Sequence, residues 1–427
     1  MSTINNELLD DLKWRGLIAQ TTDEAALREA LKKPITLYIG FDPTAPSIHV
    51  GNLVVLFVLR RFQLAGHNPL PLVGGATGLV GDPSGKNEER SLNTTEVVEQ
   101  WVSRIRSQLS KFMDFDSKVN PAVMVNNLDW TAPLSAIDFL REIGKHFPLS
   151  QMLAKDAVSS RLNKDGISYT EFSYQVLQAM DYLELYRRYN CTLQLGGSDQ
   201  WGNITAGLDL IRRVEGGSGH AMTIPLLTKS DGTKFGKTAG GAVWLDPEMT
   251  SPYAFFQYWL NSDDADVINF TKVFSFKSRQ EIEALEQRHK ENPGAREAHR
   301  ELARELTSLV HSPEIAQRVE VAARALFGQA DLSELDEATL ASAIAELPRT
   351  TVSMSAELPT WVDLLAETGV VDSKSAARRI IKESGAYLNN EKVPSEDFRL
   401  EKNHFLCGKY ALLRKGKRDI AAVELIA

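Results

Sequence analysis

Two kinds of hydrophobic run alternate along roughly the first 230 residues of the chain. Short runs rich in β-branched and apolar residues predict strands, and longer runs with apolar positions three and four residues apart predict helices. The predicted strands are 35–41, 69–74, 122–126, 192–195 and 223–227, and the predicted helices are 50–65, 95–112 and 200–214, with further helical sequence up to about 189. This alternation predicts an α/β fold with a doubly wound, Rossmann-like parallel sheet covered by helices on both faces.

After Pro252 the alternation gives way to helical sequence, and 281–310 is rich in Glu, Arg, Ala and Leu. Between Pro348 and Pro359 the sequence is rich in Ser and Thr, which predicts a linker. The chain is therefore predicted to form a Rossmann-like domain over 1–245, an α-helical domain over 246–330, a linker over 331–360 and a small C-terminal domain over 361–427.

Composition narrows the class of protein. The chain has 427 residues, with 43% hydrophobic and 24% charged positions, which suits a globular protein of two or three domains. Its only two cysteines, Cys191 and Cys407, exclude a disulfide framework and a four-thiolate zinc site. The N-terminus has no signal-peptide core, and the longest apolar stretch, 53–59, is too short to span a bilayer. We therefore expect a cytoplasmic enzyme with no membrane partner.

Charge is unevenly distributed along the chain. The net charge of −8 argues mildly against a protein that binds nucleic acid over its whole surface. The last 67 residues contain 12 Lys and Arg against 10 Asp and Glu, so they carry about +2 while the remainder carries about −10. The C-terminal part is therefore the least acidic, and composition alone does not distinguish a nucleic-acid-binding face there from a solvated basic face.

A histidine, a glycine and an amide lie where the first predicted strand leads into a helix, in the segment His-Val-Gly-Asn at 49–52. Helix N-termini bind phosphate because their N–H groups are unpaired and their dipole end is positive. His49 could donate a hydrogen bond to a phosphate, and Asn52 could hold a ribose or phosphate oxygen. The alternative is an incidental histidine at a helix start. The segment has neither the G-x-G-x-x-G pattern nor the P-loop pattern.

Two further segments have the composition of nucleotide-binding loops. Residues 228–238, the lysine loop, are rich in Gly, Lys, Ser and Thr, and Lys234 and Lys237 could close over a polyphosphate. A solvated basic loop is the alternative. In 192–203 a strand again runs through glycines into a helix, and Asp199 could accept ribose hydroxyls, or act only as a helix cap.

A polar face is predicted on the helix that runs up to about 189. Tyr174, Gln178 and Asp181 are spaced i, i+4 and i+7, so their side chains lie on one face. A phenol, an amide and a carboxylate aligned in this way could line a polar pocket. The alternative is a half-exposed polar stripe.

Together and in this order, these segments resemble the class I aminoacyl-tRNA synthetases, and within them the bacterial tyrosyl-tRNA synthetases. His-Val-Gly-Asn at 49–52 resembles the H-I-G-H motif, and Lys-Phe-Gly-Lys-Thr at 234–238 resembles the K-M-S-K-S motif. The blocks 38–44, 74–78 and 197–203 are more specific to the tyrosyl enzymes. The tail 361–427 resembles an S4-type RNA-binding domain of α+β architecture, notably at 375–381 and 385–389. The resemblance covers essentially the whole chain.

The resemblance implies a ligase that activates L-tyrosine with ATP to tyrosyl-adenylate and pyrophosphate, then transfers the tyrosyl group to the 3' end of tRNA(Tyr). An ionised carboxylate needs no general base, so the protein must supply positioning and charge stabilisation. The positions matching catalytic roles are Thr44, His49, Asn52, Lys234 and Lys237. Those matching ATP contacts are Gly51, Asp199, Lys234, Lys237 and Thr238. Those matching L-tyrosine contacts are Tyr38, Asp82, Tyr174, Gln178, Asp181 and Gln200.

Recognition of the substrate's phenolic hydroxyl is implied for Tyr38 and Asp181. A buried polar pair built for a hydroxyl rejects phenylalanine, which would leave both groups unpaired. Magnesium is expected to arrive with ATP, since no carboxylate cluster has metal-ligand spacing, and no zinc is expected.

The tail and the middle of the chain are implied to contact RNA. The candidate RNA-binding residues, for which a solvated basic face is the alternative, are Lys374, Arg378, Arg379, Lys382, Arg414 and Lys415. The resemblance implies that the S4-type unit meets the long variable arm of tRNA(Tyr), that the helical domain faces the anticodon region, and that the protein is a homodimer.

One position departs from the family pattern, and two other functions stay open. Asn52 stands where the family motif has its second histidine; asparagine keeps a hydrogen-bond donor but cannot carry a proton charge. One rival is a dinucleotide-dependent oxidoreductase, which the missing G-x-G-x-x-G disfavours. The other is a catalytically inactive paralogue that only binds RNA. The residues that argue against it are His49, Asp181, Lys234 and Lys237.

Overall fold

The computed structural model describes residues 4–83, 93–153, 166–238, 241–353, 358–416 and 419–426. The chain divides into two compact units. The first is Met1–Asp246 with Asp263–Gln287, and the second is Pro247–Ser262 with Arg288–Ala427. Within the described ranges, no helix combines the length and apolar character needed to cross a membrane.

The first unit is built on a six-stranded sheet. Its strands are β1 (Gln20–Thr21), β2 (Thr36–Phe41), β3 (Asn68–Val73), β4 (Val125–Asn126), β5 (Cys191–Gly197) and β6 (His220–Ile224). They are ordered β1-β6-β5-β2-β3-β4, and all neighbours are parallel except the pair of β1 and β6. The predicted parallel sheet is confirmed. The strand predicted over 122–126 is shorter than expected, because only its last two residues pair with β3.

Helices connect these strands. In the first unit they are α1 (Leu8–Trp14), α2 (Glu24–Ala30), α3 (Val50–Leu64), α4 (Thr77–Val80), α5 (Thr95–Leu109), α6 (Leu128–Thr131), α7 (Ala136–Asp138), α8 (Leu149–Leu153), α9 (Tyr169–Tyr189), α10 (Trp201–Glu215) and α12 (Val267–Phe274). Helical turns of other types lie at Phe139–Ile143, Gly144–His146 and Ser198–Gln200, and a short hairpin pairs β7 (Lys237–Thr238) with β8 (Gly241–Ala242).

Alternation along β2 decides which helix each residue meets, because successive side chains of a strand point to opposite faces. Tyr38 belongs to a buried cluster with Leu72 of β3 and with Met180 and Leu183 of α9. Helix α3 contacts β2, β3 and β5 and buries residues such as Phe57. These two helices carry residues of the site, so burial of their apolar faces fixes the position of the polar residues they present.

The second unit combines helices with a five-stranded sheet. Its helices are α11 (Pro252–Leu260), α14 (Glu297–Val310), α15 (Pro313–Leu326), α16 (Glu337–Ala345), α17 (Trp361–Glu367) and α18 (Lys374–Lys382), and α13 (Arg279–Glu291) ends in it; short 3-10 turns lie at Pro293–Ala295, Leu332–Glu334 and Lys402–His404. Its strands are β9 (Arg349–Ser353), β10 (Ala386–Leu388), β11 (Glu391–Lys392), β12 (Tyr410–Lys415) and β13 (Asp419–Ile426). Their order is β11-β10-β12-β13-β9.

Part of the segment predicted as a linker, 331–360, is built into this unit. Helix α16 packs on α11 and α15, and β9 pairs with β13 in parallel. Val352 of β9 is buried in the cluster that contains Trp361. The Ser and Thr content that suggested a linker includes β-branched threonines, which also favour strands. Residues 337–353 are therefore not linker, while the other domain boundaries stay predictions.

Candidate active site

A cavity of about 610 Å³ opens at the carboxyl ends of β2, β5 and β6, where open α/β sheets bind their ligands. The predicted site residues that line it are Tyr38, Thr44, His49, Gly51, Asn52, Asp82, Tyr174, Gln178, Asp181, Asp199, Gln200 and Lys234. The side chains of two predicted residues, Lys237 and Thr238, lie outside the described part of the structure. Segments far apart in the sequence thus converge on one pocket.

The segment at 49–52 begins α3 with a reciprocal cap. The Gly51 N–H donates to His49 Nδ1 at 3.0 Å, and the His49 N–H donates to Asn52 Oδ1 at 3.1 Å. Because Nδ1 accepts a hydrogen bond, the proton of the neutral imidazole is on Nε2. A Cβ at position 51 would lie 2.9 Å from that Nδ1, so only glycine leaves room for this ring position. The segment thus presents a fixed histidine tautomer at a helix N-terminus.

Backbone pairing joins this segment to the residues that follow the lysine loop. The Val50 N–H donates to Val243 O at 2.9 Å, and the Leu245 N–H donates to Ile48 O at 3.0 Å. Between these bonds the rings of His49 and Trp244 meet edge-on, with centroids 5.9 Å apart. The histidine segment and the lysine loop, whose motifs begin 185 positions apart at His49 and Lys234, are therefore held close together by backbone pairing.

An aromatic anchor holds the lysine loop itself. Phe235 is buried against Phe270 and Phe274, at centroid distances of 5.0 and 5.2 Å. Before it, the Lys229 N–H donates to Thr233 O at 2.9 Å, which closes the loop into a tight turn. Lys234 therefore extends into the cavity from a loop whose next residue is part of the core.

Two buried polar residues, Tyr38 and Asp181, line the cavity. Tyr38 and Asp181 are 1% and 2% exposed. Asp181 accepts hydrogen bonds from Asn127 Nδ2 at 3.0 Å and Trp130 Nε1 at 2.8 Å, yet burial raises the pKa of its carboxyl to about 7. The Tyr38 hydroxyl has no hydrogen-bond partner among the described residues. A buried hydroxyl of this kind indicates a place for a polar ligand group.

The same cavity is also lined by a group of carboxylates. Tyr174 Oη donates to Asp42 Oδ2 at 2.6 Å, and Gln200 Nε2 donates to Asp82 Oδ2 at 2.8 Å. Burial, with the charges of Asp42 and Asp82, raises the pKa of Tyr174 well above its ordinary value, so its hydroxyl stays protonated. Two carboxylates beside a phenol favour a cationic ligand group. Asp199 lines the same cavity, and burial together with Asp82 raises its pKa.

The helix face predicted on α9 is a pocket wall. Tyr174 and Asp181 are buried, and Gln178 is half-buried and accepts from Asn203 Nδ2 at 3.2 Å. A half-exposed polar stripe therefore does not describe Tyr174 and Asp181.

Four polar residues of the site were not among the sequence predictions. Asp42 and Thr77 lie inside blocks that resemble the tyrosyl enzymes, so the resemblance contained a signal for them. Asn127 and Trp130 follow the two-residue strand β4, and no motif or spacing marks them. Only the structure, which brings both against Asp181, identifies them.

The basic residues predicted to bind RNA fall into two environments. On α18 the side chains of Lys374, Arg378, Arg379 and Lys382 are 60, 51, 74 and 72% exposed, each within 4 Å of a carboxylate. Lys415 lies 3.2 Å from Asp419. Arg414 differs, because it is only 9% exposed and stacks 4.1 Å from the ring centroid of Tyr387. Its contacts are those of a core residue.

Comparisons with known proteins agree on one family. Residues 30–328 match the model of tRNA synthetases class I (W and Y), and 339–423 match that of the tyrosine–tRNA ligase SYY-like C-terminal domain. The tyrosine–tRNA ligases of Streptomyces avermitilis and Thermobifida fusca are 60% and 56% identical, each over 98% of this chain and 99% of its own. The solved structure of a C-terminally truncated Aspergillus nidulans mitochondrial tyrosyl-tRNA synthetase is 30% identical and matches with a TM-score of 0.69, covering 75% of this chain and 94% of that one.

Proposed function

The chain belongs to the tyrosine–tRNA ligases, within the class I tRNA synthetases, and from that membership we propose how its pocket works. It activates L-tyrosine with ATP to tyrosyl-adenylate and pyrophosphate, and then transfers the tyrosyl group to the 3' end of tRNA(Tyr). One observation supports this assignment above the others. A buried pair suited to a phenol, Tyr38 and Asp181, shares a single cavity with His49 and Lys234.

Tyr38 and Asp181 recognise the phenolic hydroxyl of the substrate. Asp181 already accepts two hydrogen bonds, and a carboxylate has capacity for further ones. The substrate hydroxyl donates to Asp181 and accepts from Tyr38, whose own hydroxyl otherwise has no partner within the described residues. Phenylalanine would leave both groups buried without a partner, and this is the basis of selection.

Asp82, Tyr174, Gln178 and Gln200 hold the α-ammonium group at the opposite end. The ammonium group lies beside two carboxylates that hydrogen bonds orient. Gln200 donates to Asp82, and Tyr174 donates to Asp42. Two carboxylates near one cation give a favourable interaction in a partly desolvated site. Because tyrosine is bound at both its phenol and its ammonium group, its carboxylate faces the part of the cavity that binds ATP.

In the activation step a carboxylate oxygen of tyrosine attacks the α-phosphorus of ATP, and the bond from that phosphorus to the leaving pyrophosphate breaks. Negative charge grows on the pyrophosphate, so donors and cations must face it. His49 Nε2–H, Thr44 and Lys234 serve this role, and Lys237 joins them from the same loop. Gly51 allows close approach of the nucleotide, Asp199 accepts ribose hydroxyls, and Thr238 completes the loop's contact with ATP.

Magnesium enters bound to ATP, and no zinc is needed. The cavity carboxylates with described partners already accept hydrogen bonds, Asp42 from Tyr174 and Thr77, and Asp82 from Gln200. Carboxylates whose oxygens already accept hydrogen bonds suit an ammonium group better than a resident metal ion. Magnesium would offset phosphate charge as part of the nucleotide substrate.

The decisive experiment is amino-acid-dependent ATP–pyrophosphate exchange with each of the twenty amino acids. Exchange with tyrosine alone is the expected result. Exchange with tryptophan, or with no amino acid, would contradict the proposal. Charging of tRNA(Tyr) in the same preparation separates an active ligase from a paralogue that only binds RNA, and family membership already disfavours a dinucleotide-dependent oxidoreductase.

Asn52 is expected to support activity as well as the histidine of the family pattern. Its Oδ1 serves as the cap acceptor for the His49 N–H, and its Nδ2 keeps a donor available. The substitution Asn52→His should therefore change the exchange rate by less than about tenfold, since imidazole Nδ1 can accept the same bond. The control Asn52→Leu, which removes both functions, should be slower. A rise of several orders of magnitude in Asn52→His would show that proton transfer matters at this position.

We also propose that the exposed basic residues of α18, with Lys415, contact the backbone of tRNA(Tyr), and that the helical domain predicted over 246–330 faces its anticodon region. Arg379 and Lys382 are the most exposed of the α18 cations. Arg414 supports this surface from the core, because it stacks on Tyr387.

The protein works in the cytoplasm, where its tRNA is found.

A homodimer is proposed for the first unit. Of the large apolar side chains that are exposed in the described structure, five lie between 137 and 169: Ile137, Leu140, Leu149, Leu153 and Tyr169. Concentrated apolar exposure of this kind marks protein–protein contacts. A second copy of this chain is the partner.

Leu149→Glu is expected to dissociate this dimer, because a buried unpaired charge is costly. Light scattering after size exclusion should change from about twice 47.4 kDa to 47.4 kDa. The matched control is Leu64→Glu, whose parent residue is 67% exposed and lies outside the cluster. A monomeric parent protein, or a dimeric Leu149→Glu variant, would contradict the assignment.

A further inference from the structure

A continuous chain of hydrogen bonds joins the two ends of the amino-acid pocket. At the ammonium end, Tyr174 Oη donates to Asp42 Oδ2 at 2.6 Å, and Thr77 Oγ1 donates to Asp42 Oδ1 at 2.6 Å. Asn127 Nδ2 donates to Thr77 Oγ1 at 3.0 Å and to Asp181 Oδ2 at 3.0 Å. Every step has ordinary hydrogen-bond length. Thr77 and Asn127 therefore connect the carboxylate at one end with the carboxylate at the other.

The direction of each hydrogen bond follows from the donors that Asn127 and Thr77 have available. Asn127 is fully buried; its Oδ1 accepts from the Ala76 N–H at 2.7 Å, and its two amide hydrogens go to Thr77 and Asp181. Thr77 is 2% exposed, and since its hydroxyl accepts from Asn127, its single proton goes to Asp42. No flip of the amide satisfies these partners, because a reversed amide would set two donors against each other.

Gly74 leaves room for the hydrogen bond between Thr77 and Asp42. A Cβ at Gly74 would lie 2.0 Å from Asp42 Oδ1 and 2.3 Å from Thr77 Oγ1, the two atoms of one hydrogen bond. Any side chain at this position would displace one of them. Position 74 thus gives a second way to disturb the same bond without altering either partner.

We propose that Thr77 and Asn127 are positioning residues that couple recognition of the phenol to recognition of the ammonium group. A shift of Asp42 when the ammonium binds is transmitted through Thr77 and Asn127 to Asp181, and the reverse holds equally because coupling between sites is reciprocal. A ligand that has both groups is then bound more tightly than its separate halves predict. This inference rests on the proposed function, which assigns the two ends to tyrosine.

The first test compares Thr77→Val, which keeps the shape but removes the hydroxyl, with the matched control Thr77→Ser, which keeps it. In pyrophosphate exchange, Thr77→Val should raise KM for tyrosine at least tenfold and leave KM for ATP within twofold. Thr77→Ser should stay within threefold of the parent for both substrates. Gly74→Ala should reproduce the Thr77→Val pattern, so the inference remains testable if one variant fails to fold.

The second test measures coupling directly with Tyr174→Phe at the ammonium end and Trp130→Phe at the phenol end. With Thr77 present, the effect of the double variant on KM for tyrosine should differ at least threefold from the product of the single effects. In the Thr77→Val background the product should hold within twofold. Equal behaviour in both backgrounds, or a Thr77→Ser variant as impaired as Thr77→Val, would overturn the coupling. Absence of tyrosine-dependent exchange in the unaltered chain would instead overturn the proposed function.

Discussion

Asp181→Asn is expected to lower kcat/KM for tyrosine in pyrophosphate exchange by about 10³-fold. A hydrogen bond to a charged group contributes about 2 kcal/mol, and leaving a buried donor unpaired costs about 2 kcal/mol more. Both losses occur here, because Asn127 and Trp130 already need the single amide oxygen, so the substrate hydroxyl loses its charged acceptor and becomes the buried unpaired donor. Together they correspond to roughly 4 kcal/mol, or about three powers of ten.

The measurement compares tyrosine with phenylalanine as substrates of the same variant. Activity with phenylalanine should change much less, so selection for tyrosine should fall nearly as far as kcat/KM does. The exposed Asp209 on α10 supplies the matched control, Asp209→Asn, which should leave both values within twofold. Equal losses for tyrosine and phenylalanine would place the role of Asp181 in folding and not in recognition of the phenol.

The same substitution should change how stability depends on pH. The pKa of Asp181 is raised from 3.8 to about 7 by burial, so the folded state holds its proton more tightly than the unfolded state does. Stability is therefore lost as pH rises from about 4 through about 7, and the loss reaches roughly 4 kcal/mol at pH 8. Asparagine cannot ionise, so relative to the parent the variant should gain roughly 3 kcal/mol between pH 5 and pH 8.

Urea unfolding at the two pH values, followed by a probe of the first unit, checks this. The mismatched amide lowers the stability of the variant by the same amount at both pH values. This cost cancels when the two pH values are compared, so the sign of the remaining change is decisive. If the stability difference between variant and parent were the same at pH 5 and pH 8, the carboxyl would already be ionised in the free protein. The expected gain of the variant at pH 8 would instead show that ionised Asp181 lowers the stability of the free protein.

Much of this fold follows from hydrophobic patterning, because a parallel sheet buries its strands on both faces and leaves short apolar runs in the sequence. The runs at 35–41, 69–74 and 192–195 predict most of β2, β3 and β5, whereas the run at 223–227 overlaps β6 only at Thr223 and Ile224. The β-α alternation then fixes the parallel arrangement of these strands. The site followed from the same logic. Ligands bind at the carboxyl ends of such strands, so the polar segments after β2 and β5 had to converge.

Residues that act through side-chain contacts between distant elements could not be found in this way. Asn127 and Trp130 lie more than 50 positions from Asp181, and neither hydrophobic period nor motif connects them. The burial of Arg414 depends on the stacking of Tyr387 across neighbouring strands. Strand β9 was missed because its partner β13 lies about 70 residues later, and pairing across such a distance leaves no local pattern.

This pairing also determines where the chain should be cut to test the tail. Removal of 348–427 is expected to leave tyrosine-dependent exchange within about threefold and to lower charging of tRNA(Tyr) by about 10²-fold or more, because lost phosphate contacts weaken RNA binding steeply. A cut at 361 would instead leave β9 without β13 and expose Val352, so that shorter deletion should aggregate more readily.

A full-length control separates lost RNA contacts from lost packing. Truncation also removes the bond from Asn390 Nδ2 to Ala325 O, so its effect on charging has two sources. Charge reversal of the exposed pair Arg379→Glu and Lys382→Glu keeps that bond and changes only the surface of α18. The double variant should lower charging, flatten its salt dependence and spare exchange. If truncation abolished exchange while charge reversal had no effect on charging, the C-terminal residues would serve the catalytic fold and not the tRNA.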